Sequence, residues 1–155
     1  MSESYEVVFQ QVAPEHVHDL LECVQMNARG FSGLTVSEDI ESIDRAKLDK
    51  SLLDKIISHD GDLCLTVQLH ELEITGSLTL PLVLLRIIKY NTAIDVELSF
   101  DDIPSLDMGC VMRALHSYTK VLAEKFNIQN FYGGLEPASD IDTRYFTDGS
   151  LGPMT

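Results

Sequence analysis

The chain has 155 residues, with 25 Asp plus Glu against 11 Lys plus Arg and a formal net charge of −14; its pI is about 4.5. With 45% hydrophobic and 23% charged residues, it can bury a core as one domain over 1–155 without staples, which excludes disorder as its main state. The acidity excludes nucleic acid and anionic membrane as partners, because both require a basic surface, whereas a basic protein would be drawn to this chain.

Residues 5–11 are rich in β-formers and predict a first strand. Pro14 then opens a helix on which Val17, Leu20, Leu21, Val24 and Ala28 recur at helical spacing, with Gly30 closing it. Residues 31–43 read as a loop, acidic over 38–41. A second helix is expected over 44–58, with Leu48, Leu52, Leu53, Ile56 and Ile57 as its apolar stripe. From Asp62 the period changes to two. Residues 63–69 and 72–80 alternate, 83–89 are apolar on both sides apart from Arg86 and Lys89, and 94–101 alternate again. A third helix over 106–127 presents Val111, Met112, Leu115, Tyr118, Leu122 and Phe126. A short strand over 128–132 follows, then an extended tail over 134–155. The large apolar groups Leu135, Tyr145, Phe146 and Leu151 imply that the tail packs in part. The fold class this implies is α+β: a mostly antiparallel sheet, a meander of about four strands plus edge strands, with helices packed on one face.

The three cysteines, Cys23, Cys64 and Cys110, are widely spaced and odd in number. No CxxC occurs, so buried free thiols in a reducing compartment are expected. The N-terminus lacks the basic-then-apolar pattern of a signal peptide. The longest apolar run, 78–88, is broken by Thr79, Pro81 and Arg86 and is too short to span a bilayer. The expectation is a cytoplasmic protein.

The meander can be checked for a self-consistent register. A turn at Asn91-Thr92 sets Arg86 opposite Glu97, Ile88 opposite Asp95 and Leu84 opposite Ser99, with Leu85 and Leu98 facing each other on the other side. A tight turn at Leu80-Pro81 would then set Thr75 opposite Arg86 and Glu73 opposite Ile88. One sheet face would thus carry an apolar stripe, Leu82, Leu84, Ile88 and Tyr90, with Glu71 and Glu73 on one flank and Asp95, Glu97 and Asp101 on the other. Arg86 is the single cation of that face. An apolar centre with a polar rim is how protein interfaces are built; the competing reading is that a helix or the tail covers the stripe.

No catalytic, metal or cofactor site is expected. The five histidines show no HExxH or equivalent spacing. Asp140, Asp142 and Asp148 lack the Gly and terminal Glu of a calcium loop. Gly133-Gly134 does not precede a helix and is no phosphate cradle. Carboxylate pairs such as Glu71 with Glu73, about 7 Å apart by strand rise, arise by chance in so acidic a chain.

The C-terminal stretch NFYGGLEPASDIDTRYFTDGSLGP and the preceding hairpin RIIKYNTAIDVELSFDD resemble bacterial immunity proteins, which neutralise the toxin domains of polymorphic, contact-dependent or type VI secreted effectors. The resemblance implies a cytoplasmic protein that binds one cognate toxin and blocks its active site. An acidic inhibitor suits a toxin with a basic cleft. On that reading Glu71, Glu73, Asp95, Glu97 and Asp101 would steer the encounter, Arg86 would sit among them, and Ile88 and Tyr90 would anchor it. Asp140, Asp142, Tyr145 and Phe146 in the tail form a second candidate surface. Two other readings compete: an acidic secretion chaperone that grips an unfolded effector segment, and a small enzyme using a carboxylate pair or a thiol.

Overall fold

Strands that bury one face must alternate, and strands at the centre of a sheet must be apolar throughout; both patterns recur here. The computed structural model describes residues 3–37 and 49–155. In chain order the elements are β1 (Ser4–Gln10), α1 (Pro14–Met26), β2 (Ala28–Val36), α2 (Lys50–Ser58), β3 (Leu63–Thr75), β4 (Leu78–Tyr90), β5 (Ala93–Asp101), α3 (Met108–Lys125), β6 (Asn130–Leu135), a 3-10 turn (Ile141–Thr143), β7 (Arg144–Thr147) and β8 (Ser150–Leu151). The eight strands form one antiparallel sheet in the order β2-β3-β4-β5-β1-β6-β7-β8. The class is α+β, as expected, with more strands than the sequence pattern announces.

The inward residues of β1, β3, β4 and β5 join Val17, Leu20, Leu21 and Val24 of α1, Leu52, Leu53 and Ile56 of α2, and Val111, Met112 and Leu115 of α3 in one apolar cluster. Among the described residues the helices therefore cover a single face of the sheet. Lys89 fastens α2 to that face. It is buried, and its Nζ donates to the carbonyls of Ile57 (2.8 Å) and His59 at the helix C-terminus, where a cation complements the helix dipole. Asp49 caps the other end by accepting from the Leu52 amide at 3.0 Å. The expected first turns of α2, residues 44–48, lie outside the described residues, as does the acidic stretch 38–41.

Three expectations are corrected. The first helix ends at Met26, and the chain enters β2 at once instead of running helical to Gly30 and looping from residue 31; of the expected loop, residues 38–43 lie outside the described residues. Only Leu34 of β2 is buried, so this edge strand lacks the alternation that would reveal it. Secondly, 63–75 is one strand. The hairpin turns at Gly76-Ser77, and Pro81 lies inside β4. Leu69 and Leu72 are both buried, so the alternation skips a residue near Glu71, whose φ is 51°. Thirdly, the cysteines are not core thiols: Cys23 and Cys64 are half-buried and Cys110 is exposed.

The segment after Gly134 returns to the sheet. β7 pairs with β6, Gly133 opposite Phe146 and Gly134 opposite Arg144. Phe146 is fully buried, its ring 4.7 Å from that of His116 and 6.3 Å from that of Phe131. A Cβ on Gly133 would lie 2.5 Å from Phe146, and one on Gly134 would lie 2.4 Å from the Thr143 carbonyl oxygen. The double glycine is therefore the flat bed on which β7 lies.

On the opposite face of the sheet a small second cluster, Val8, Tyr132 and Ala138, holds the 136–143 segment down. Glu6 accepts a hydrogen bond from the Ala138 amide at 2.7 Å and is 7% exposed. Arg144 clamps the same segment, donating from Nε to the Ala138 carbonyl at 2.7 Å, with its guanidinium 4.0 Å from the centre of the Tyr132 ring. Burial pushes the Glu6 carboxyl above its ordinary value of 4.5, against the Ala138 amide, which lowers it.

Two predictions follow from this packing. Gly133→Ala should lose about 1–3 kcal/mol in denaturant unfolding through overpacking, Phe146→Ala about 3–5 kcal/mol, and Gly149→Ala, whose Cβ meets nothing within 4 Å, should stay within about 0.5 kcal/mol of the parent. The raised carboxyl of Glu6 favours folding fully below pH 4.5, and that contribution is lost as pH rises through the folded value. Glu6→Gln keeps an acceptor for Ala138 without the charge, so its stability relative to the parent should increase as pH is raised from 4 to 7; a pH-independent difference would contradict the assignment.

Candidate functional site

Among the described residues, the face of the sheet away from the helices is covered only where the 136–143 segment crosses β1 and β6. The remainder, on β3, β4 and β5, presents side chains to solvent. The β4–β5 register is the one read from sequence: Arg86 opposite Glu97, Ile88 opposite Asp95, Leu84 opposite Ser99. The hairpin closes through Asn91, which takes a φ of 53°, tolerable for an Asn side chain, and donates its amide to Asp62 at 3.2 Å. The expected stripe is present: Leu82 is 49% exposed, and Leu84, Ile88 and Tyr90 are half-buried.

Around the stripe the charges form two groups. Asp95 accepts from the Tyr90 hydroxyl at 3.2 Å and from the Gln11 amide at 2.9 Å. Burial, followed by the Asp95 charge, holds the Tyr90 phenol above its usual range. The second group centres on Arg86, whose guanidinium lies 3.7 Å from Glu97 and 3.8 Å from Glu136. Both separations exceed a hydrogen bond, and Nε is buried with no hydrogen-bond partner. Burial raises the Glu97 carboxyl, Arg86 pulls it back, and Glu6, Asp95 and Glu136 push it up again. One guanidinium therefore serves several carboxylates and satisfies none of them closely.

A groove of about 480 Å³ runs from Arg86 along β4 to the β5–α3 connection. Leu82, Leu84 and Phe100 form its apolar part, and Asp101, Asp102 and Glu136 its rim. Asp101 is held by the Ser4 hydroxyl at 2.9 Å.

Several expected site residues lie elsewhere. Because the β3–β4 turn is at Gly76-Ser77, Thr66 faces Arg86 and Cys64 faces Ile88. Glu73 lies opposite Thr79, nine residues and about 30 Å of strand rise from Ile88. Glu71 pairs instead with Arg29 of β2 at 3.0 Å. The tail does not make one contact surface either. Asp140 and Asp142 are exposed, with Asp140 capping the 3-10 turn by accepting from the Asp142 amide at 3.1 Å, but Phe146 is fully buried and Tyr145 is 8% exposed. Those two rings belong to the core because β7 is a sheet strand. Glu6, Asp102 and Glu136 were not singled out by sequence. Glu6 had a local signal, the one carboxylate of β1, set among Tyr5, Val7, Val8 and Phe9, whereas Glu136 reaches the site only through the return of the chain past β6. On α1, His18 Nδ1 lies 3.4 Å from Asp19 and 3.9 Å from Glu22; both carboxylates are exposed.

The family model described as "PABL017 Cdi1I immunity protein" matches residues 3–150. Among solved structures, the crystal structure of the toxic C-terminal tip of CdiA from Pseudomonas aeruginosa in complex with immune protein contains a chain that is 36% identical to this one. The match covers 100% of both chains with a TM-score of 0.92. No curated protein matches. A match across nearly the whole sequence, together with this full-length structural correspondence, places the chain in the Cdi1I immunity protein family.

Proposed function

We propose that this protein neutralises the toxic C-terminal tip of a CdiA-type protein by binding it stoichiometrically and covering its working surface, without turnover of its own. The supporting observation is the full-length correspondence with a chain from a complex between a toxic tip and its immune protein. The electrostatics agree. A net charge of −14 and an open sheet face with carboxylates around an apolar stripe suit a folded partner with a basic surface, and opposite charge raises the association rate more than the affinity. No helix among the described residues is long and apolar enough to cross a membrane, and we place the action in the cytoplasm of the cell under attack.

The secretion-chaperone reading requires a long apolar groove for an unfolded segment; here the apolar stripe is short and carboxylates flank it, which favours a folded partner. Mixing the purified chain with the C-terminal tip of a CdiA-type protein from the same genome should give a one-to-one complex, and co-expression should protect cells from that tip. The association rate should fall about tenfold or more between low and moderate salt. Absence of a complex at micromolar concentrations would contradict the proposal.

A further inference from the structure

We propose that the groove between β4, the β5–α3 connection and Glu136 seats a basic segment of the toxin: an apolar side chain on Leu82 and Leu84, flanked by Lys or Arg side chains that pair with Asp101, Asp102 and Glu136. This inference rests on the toxin-binding reading above and adds the location and chemistry of the contact.

Three observations carry it. The groove joins apolar floor to acidic rim within about 480 Å³, and Leu82, 49% exposed, is a large apolar side chain at its centre. The charge is one-sided: the three rim carboxylates outnumber Arg86, the one cation of the lining. Arg86 is moreover drawn toward Glu97 behind it as well as Glu136, at 3.7 and 3.8 Å, so it neutralises the rim weakly. Uncompensated negative charge beside exposed apolar surface is complementary to a cationic segment with an apolar side chain, and such a contact removes both costs together. A second copy of this chain fits badly, since two surfaces of the same sign would meet with −14 on each molecule.

The test compares association and dissociation rates of the C-terminal tip of a CdiA-type protein from the same genome, its activity silenced, with the parent chain and three variants. Asp101→Lys/Asp102→Lys reverses the rim. Leu82→Ser removes the exposed apolar side chain and leaves the core untouched, so it carries the test should the double variant fold poorly. Glu15→Lys/Asp19→Lys makes the same change in net charge on exposed positions of α1, on the helical side of the sheet. The rim variant should weaken binding at least about tenfold, and Leu82→Ser should speed dissociation about tenfold. The α1 variant should slow association only slightly and leave dissociation unchanged. If the parent binds while the rim and Leu82 variants stay within twofold of it, or the α1 variant loses as much as the rim variant, the groove is not the seat and the toxin-binding reading stands. If the parent does not bind, both fall.

Discussion

Among the described residues the helices cover only one face of the sheet, and most of the protein's other features depend on that asymmetry. The inward residues of β1, β3, β4 and β5 share a single apolar cluster with all three helices, and burial at about 25 cal/mol per Å² is the main force holding the layers together. The open face is released from that demand. Arg86, Glu97, Asp95 and Tyr90 can occupy it because their backbones are fixed by inward neighbours, Leu85, Ile87, Val96 and Ile94, that are 0–1% exposed. A long, rigid hairpin thus presents a charged surface whose geometry does not depend on the charges themselves.

The second determinant is the return of the chain after β6. Gly133 and Gly134 let β7 lie flat, Phe146 locks it into the core, and Arg144 and Glu6 hold the 136–143 segment across the open face. That segment delivers Glu136 to Arg86 and forms one wall of the groove. The buried carboxyl of Glu6 and the half-buried one of Glu97 are both pushed toward protonation by desolvation.

The short-range part of this arrangement could be read from sequence, and the long-range part could not. In the β4–β5 hairpin β5 announces itself by alternation and Asn91 suits the turn, so the register and the stripe of Leu82, Leu84, Ile88 and Tyr90 are legible in sequence. The β3–β4 hairpin misled because Pro81 looks like a turn residue, whereas it occupies the point where alternation slips opposite Glu71. That error carried Glu71 and Glu73 to the wrong end of the face. β2 was hidden because an exposed edge strand has no apolar period. Tyr145 and Phe146 looked like contacts because a tail rich in Gly, Pro, Ser and Asp reads as loop, and nothing local shows that Gly133 makes room for a ring. Glu6 and Glu136 lie far apart in the chain and meet only through sheet topology.

The central claim is that the open face of the sheet, and not the helical side, meets the toxin. Carbodiimide labelling of carboxylates in the free and toxin-bound protein, read residue by residue by mass spectrometry, tests this directly. The account predicts that Asp101, Asp102 and Glu136 lose reactivity in the complex while Glu15, Asp19 and Glu22 on α1 keep theirs. Protection of the α1 carboxylates with the groove carboxylates still reactive would contradict it.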